Sequence, residues 1–85
     1  MFYMYILKSL KDGKLYIGSC NDLESRLKKH NSGQVKSTKN RIPFKIVYYE
    51  AYADEGEARH REHNLKLRAR ALRQLLLRIK ESISI

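Results

Sequence analysis

The residues best suited to chemistry sit in two short segments, Tyr3-Met4-Tyr5 and Tyr16-Ile17-Gly18, which place Tyr5 and Tyr16 eleven positions apart. A phenol can orient a phosphate or a water through its hydroxyl, and once ionised it can accept a proton. Arg26 and His30 follow, four residues apart and so on one face of a helix. Arg26 presents a permanently charged planar fork that matches a phosphate, and His30 can relay a proton near neutral pH. Glu62 lies mid-helix with Ala58 and Leu65 on the same side, so its carboxylate is expected to point inward. There it needs a cation or a hydrogen-bond donor, and a divalent metal would serve.

Such side chains converge only if the backbone holds them. Two apolar runs, Phe2 to Lys8 and Lys14 to Ser19, flank Lys11-Asp12-Gly13-Lys14 and predict a β-hairpin. With Asp12 and Gly13 as a two-residue turn, Tyr5 pairs with Cys20, and Tyr16 lies on the same sheet face as Tyr5. Asn21 is expected to cap the first helix with Glu24 in a capping box. Leu23 and Leu27 form its apolar stripe, and Asn31-Ser32-Gly33 ends it. Residues 34–43 read as a basic loop without periodicity, and Phe44 to Tyr52 as a third strand. Asp54 and Glu57 open a helix that runs to about Leu67. Leu72, Leu75, Leu76, Ile79 and Ile83 keep helical spacing and predict one last amphipathic helix. The expected order is ββαβαα. This is an α+β fold in which helices flank a small, three-stranded, mainly antiparallel sheet, with residues 1–85 as one domain.

Composition narrows the partners. The chain has 85 residues and carries a net charge of +9, which points to an acidic partner, most simply nucleic acid. Ten of the 18 Lys and Arg residues lie in positions 1–50 and eight in 51–85, so no terminal basic tail explains the charge. Cys20 is the single cysteine, which excludes an intrachain disulfide and fits a reducing, cytoplasmic setting. No apolar run approaches the ~18 residues of a membrane span, so no membrane role is expected.

The motifs resemble those of the GIY-YIG nucleases, in particular the small bacterial members. Tyr3-Met4-Tyr5 stands for the first motif, with Tyr3 in place of its glycine, and Tyr16-Ile17-Gly18 is the second motif unchanged. Arg26 matches the helix arginine of the family, His30 its histidine and Glu62 its metal-binding glutamate. Ser37-Thr38-Lys39-Asn40-Arg41 with Pro43-Phe44, and Arg61-Glu62 with Leu65-Lys66, also look like the small members. The resemblance implies a GIY-YIG-like endonuclease that hydrolyses DNA phosphodiester bonds with Mg²⁺ or Mn²⁺, is structure-selective, and acts in DNA repair or recombination. In that setting Glu62 would hold the metal, Arg26 would grip the phosphate, His30 would relay a proton, and Tyr5 is favoured over Tyr16 as the base. Lys14, Lys36, Lys39, Asn40, Arg41, Arg68 and Arg70 are the candidate contacts to nucleic acid, with DNA the expected partner and RNA the other candidate. A monomer is expected, with room for a recruiting protein.

Each assignment has a plainer alternative. Tyrosines in strands are usually packing residues, which is the reading given to Tyr48, Tyr49 and Tyr52, and Glu62 could simply pair with Lys66 one turn on. Cys20, His30, His60 and His63 lack the paired-cysteine spacing of a zinc site. The competing function is a non-catalytic nucleic-acid-binding module that keeps the nuclease fold.

Overall fold

A computed structural model describes every residue from Met1 to Ile85. Its centre is the run Met4-Tyr5-Ile6-Leu7, buried on both faces of the sheet. A strand that is apolar without alternation must be covered on both sides. Accordingly β1 (Phe2–Ser9) lies between β2 (Leu15–Cys20) and β3 (Phe44–Tyr52), antiparallel to both. One face carries Met4, Ile6 and Ile17 against Leu65 and Leu75. The other carries Tyr5, Leu7 and Phe44 against Leu23 and Leu27. The sheet therefore separates α1 (Leu23–Asn31) from α2 (Glu55–Leu67) and α3 (Ala69–Arg78). A register shift between Ile6 and Leu7 makes a bulge at Val47, which lets Val47 and Tyr48 both pack on the Met4 face.

The hairpin differs from its expected register. Tyr5 faces Gly18, not Cys20, because the loop is Leu10 to Gly13 and closes on Ser9 and Lys14. Ser9 causes this: its buried Oγ accepts from the backbone N–H groups of Lys11 and Asp12, both at 3.1 Å, and donates to the Arg41 carbonyl at 2.6 Å. Gly13 takes φ +72°, a conformation that favours glycine. The slip is two residues, so Tyr16 stays on the Tyr5 face as expected.

Asp22, not Asn21, caps α1, accepting from the Ser25 N–H at 3.0 Å. Gly33 at φ +80° follows the helix end, and Asn31 ties that end to β3 through paired hydrogen bonds with the Phe44 backbone. Residues 34–43 are more ordered than a plain loop: Thr38 is fully buried and Lys39–Arg41 form a 3-10 turn. The last helix is interrupted at Ile79, giving α3 and then α4 (Lys80–Ser84), so the order is ββαβααα. Lys8 donates to the Ile83 carbonyl at 2.7 Å, and this holds α4 back against the sheet. No helix is long and apolar enough to cross a membrane.

On the far edge, Glu50 fastens α2 to β3. Its carboxylate accepts two bonds from Arg61, at 2.9 and 3.2 Å, and one each from the Tyr48 and Tyr52 hydroxyls. Burial alone would raise the Glu50 pKa, but these donors outweigh it and hold the carboxyl below its ordinary range. The stabilisation is therefore complete above the unfolded value near 4.5 and is lost as pH falls through the lower folded value. Glu50→Gln is expected to cost about 1–2 kcal/mol at pH 7 and to flatten the acid limb of stability in urea unfolding between pH 3 and 7. A variant as stable as the parent, with the same acid limb, would remove Glu50 from this role.

Candidate active site

The pairing of Tyr5 with Gly18 fixes the centre of the site. The Tyr5 side chain folds over the glycine so closely that a Cβ at position 18 would lie 2.5 Å from the phenol oxygen. Tyr16 lies two residues from Gly18 on the same face, with its ring 6.5 Å from that of Tyr5 and 5.1 Å from that of His30.

Four side chains and a carbonyl form a directed chain behind these rings. Arg26 Nε lies 3.4 Å from the Tyr5 hydroxyl, which lies 3.0 Å from His30 Nε2. His30 Nδ1 is 2.8 Å from Thr38 Oγ1, which is 3.4 Å from the Val35 carbonyl. A carbonyl only accepts and Thr38 has one proton to give it, so Thr38 must accept from His30 Nδ1–H, and the neutral ring then offers Nε2 to the Tyr5 proton. Arg26 donates to Tyr5, Tyr5 to His30, His30 through Nδ1–H to Thr38, and Thr38 to Val35. This assigns His30 as the neutral Nδ1–H tautomer.

The electrostatics agree. Burial pushes the Tyr5 phenol up to about 12, with Arg26 only partly opposing the rise. Burial first, and then the Arg26 charge, hold His30 below an ordinary histidine. Tyr5 is 1% exposed and keeps its proton, the opposite of what a base at neutral pH requires. Tyr16 is only half-buried, and its hydroxyl lies outside the chain.

Glu62 approaches from the other face of the sheet, around the edge strand β2. It is not turned into the core: Oε1 accepts from Ser19 Oγ and Oε2 from Lys66 Nζ, both at 2.6 Å. The Lys66 ammonium also stands 5.7 Å above the Tyr16 ring, linking carboxylate and phenol across the edge. The Lys66 ammonium marks a cation position on Glu62. No three His, Cys, Asp or Glu side chains are grouped to enclose a metal, so the donor set does not fit a caged zinc ion. A lone carboxylate does fit Mg²⁺ or Mn²⁺ whose remaining ligands are phosphate and water.

Of the candidate nucleic-acid contacts, Arg41 is otherwise engaged. It pairs with Asp12 at 2.9 Å, reaches the Leu15 carbonyl, and lies 5.5 Å from the centre of the Phe44 ring. Lys11 bonds the Asn40 carbonyl, so this loop buttresses the hairpin turn. Lys14, Lys36, Lys39 and Asn40 remain exposed, as do Arg68 and Arg70 at the junction of α2 and α3. Sequence reasoning gave no role to Thr38 or Ser19, and named Lys66 as the partner of Glu62 one turn on, the pair that the structure holds. The strand parity of Ser19, opposite to that of Gly18, was the available signal that it faces α2.

A family model described as the GIY-YIG catalytic domain matches residues 1–75. A UPF0213 protein of Clostridium perfringens is 48% identical over 67 residues, covering 78% of this chain and 71% of that protein. A UPF0213 protein of Bacillus pumilus is 41% identical over 76 residues, covering 88% and 76%. The fold also matches the solution NMR structure of a UPF0213 protein from Bacillus halodurans, with TM-score 0.53 and 40% identity, over 89% of this chain and 83% of that one.

The directed chain is open to NMR. Long-range ¹H–¹⁵N spectra are expected to show His30 as the Nδ1–H tautomer, titrating below an ordinary histidine. Its stabilising contribution is then complete above the unfolded value near 6.5 and is lost as pH falls toward the lower folded value. Gly18→Ala should displace the Tyr5 ring and abolish that single tautomer. An Nε2–H tautomer in the parent protein, or an unchanged spectrum in Gly18→Ala, would break the assignment.

Proposed function

The chain belongs to the GIY-YIG family of nucleases, and from that premise we propose that it is an endonuclease hydrolysing DNA phosphodiester bonds with one Mg²⁺ or Mn²⁺ ion. The observation that carries this reading is the meeting, at the β2 edge, of a half-buried phenol, a fixed guanidinium and a lone carboxylate joined by Lys66. Glu62 is the residue that would hold the ion. When bound, the ion offsets charge developing on the phosphate and the leaving oxygen.

The other roles fall to the chain's own groups. Arg26 commits Nε to Tyr5, which leaves its two terminal nitrogens for a phosphate oxygen. Tyr5 and His30 act as positioning residues that set the plane of that guanidinium. Tyr16 is assigned as the base that takes a proton from the attacking water, reversing the assignment favoured from the sequence. The Lys66 ammonium, 5.7 Å above the Tyr16 ring, is the cation that stands beside this phenol.

We assign weak base specificity and a preference for distorted DNA, consistent with a role in repair or recombination. Reading bases takes a helix or ribbon with side chains free to enter a groove. Here α1 and α2 carry the site, and α3 is packed against the core through Leu72, Leu75 and Leu76. An interrupted duplex costs less to bend into a shallow site.

Glu62→Gln should abolish cleavage in Mg²⁺ or Mn²⁺ while leaving fold and DNA binding intact. Tyr16→Phe and Tyr5→Phe should each slow cleavage about 10²-fold or more, the first by losing the base and the second by losing the group that positions Arg26. A wild-type rate in Glu62→Gln would remove Glu62 as the metal ligand, and wild-type rates in both tyrosine variants would return the two phenols to packing. A parent protein that binds DNA and cuts none of it would end the nuclease reading and leave a binding module.

Substrate choice is checked by incubating the protein with single-stranded, duplex, nicked, flap and branched DNAs. Interrupted substrates should be cut first. A sharp consensus of four or more bases on intact duplex would contradict this.

A further inference from the structure

Ser19 is where three concavities meet. One, about 240 Å³, lies between the end of β2 and α1 and is lined by Arg26 and Lys29. The second, about 60 Å³, passes Cys20, Ala58 and Arg59. The third, about 430 Å³, lies along α2 and is lined by Arg59, Glu62, His63 and Lys66, with no apolar side chain. The first two share Cys20 and the last two share Arg59, so together they form one trough. It begins on the α1 face, crosses the end of the edge strand β2, and continues on the α2 face. No strand lies beyond β2 to block it.

Arg26 and Lys29 line one arm, and Arg59 and Lys66 the other with His63 between them. Arg59, His63 and Lys66 stand at i, i+4 and i+7 on one face of α2, with Arg59 and Lys66 about 10 Å apart along its axis. Three acids share the trough. Asp22 caps α1, Glu55 pairs with Arg59 at 3.4 Å across an exposed helical turn, and Glu62 is the proposed metal ligand. An exposed i,i+4 pair contributes little, so a phosphate can compete for Arg59.

We infer that the sugar–phosphate backbone of the strand to be cut follows this trough, crossing the sheet edge at Ser19, with Lys29 holding phosphates on the α1 side and Arg59 on the α2 side. This rests on the nuclease reading and adds the path, with two contacts that motif matching did not supply. The scissile phosphate then lies between Arg26 and Glu62, because the trough passes both. His63 and Lys66 continue the track beyond it.

The test is binding, kept separate from cleavage. A fluorescein-labelled single-stranded oligonucleotide is titrated in EDTA with the parent protein, Lys29→Gln, Arg59→Gln and the control Lys80→Gln. Lys80 begins α4, which packs on β3 at the opposite edge of the sheet. Lys29→Gln and Arg59→Gln should each bind severalfold more weakly and lower the log–log salt slope by about 0.7, one phosphate contact on a single strand. Lys80→Gln should match the parent. Parental binding in both trough variants, or an equal loss in all three, overturns the path even if the parent protein cuts DNA in Mn²⁺. A parent protein that neither binds nor cuts takes the nuclease reading down as well.

Discussion

The hydrogen-bonded chain from Arg26 through Tyr5, His30 and Thr38 to the Val35 carbonyl is the constraint on which the rest of the site depends. Its members come from β1, from α1 and from the segment after α1, so forming it docks the helix and orders the segment at once. His30 and Thr38 are fully buried, and a buried polar group without a partner costs far more than a satisfied one contributes. No buried side-chain polar atom in this protein lacks a partner. Polar burial here acts as specification: this arrangement of α1 leaves no buried polar side chain without a partner, and it sets Arg26 in the concavity beside β2.

Around this anchor the two faces of the sheet divide the labour. The α1 face supplies phenols and a guanidinium on a rigid, desolvated footing. The α2 face supplies a carboxylate with an ammonium beside it, nearer to solvent. They meet because β2 is both short and at the edge, so side chains from either face can reach around it. The clamp of Glu50 with Arg61 works at the opposite edge. By fixing α2 to β3 it sets the helix that carries Glu62, the residue next to Arg61.

Much of this was legible in the residue pattern, for identifiable reasons. The strands were, because β1 and β3 concentrate residues that fit a pleated, half-buried surface. The α2 cap was, because Asp54 has the right acceptor three residues before Glu57. The shared face of Tyr5 and Tyr16 survived an incorrect turn only because side-chain alternation has period two. What stayed hidden depended on distant partners. Ser9 set the loop length through bonds to Lys11, Asp12 and the remote Arg41 carbonyl. Thr38 looked like one polar residue in a basic loop until His30 needed an acceptor. The break at Ile79 has no Gly or Pro to announce it, and beyond it α4 is held to the sheet by Lys8. For Glu62, part-buried beside Ala58 and Leu65, the hidden part was its hydrogen-bond donor, Ser19 on another element.

Gly18 and Tyr5 fill one volume from two strands. The last residue of the second motif and the last of the first therefore share one packing space, and a side chain at 18 requires the ring at 5 to move. The two three-letter patterns are one packing unit, joined at their ends.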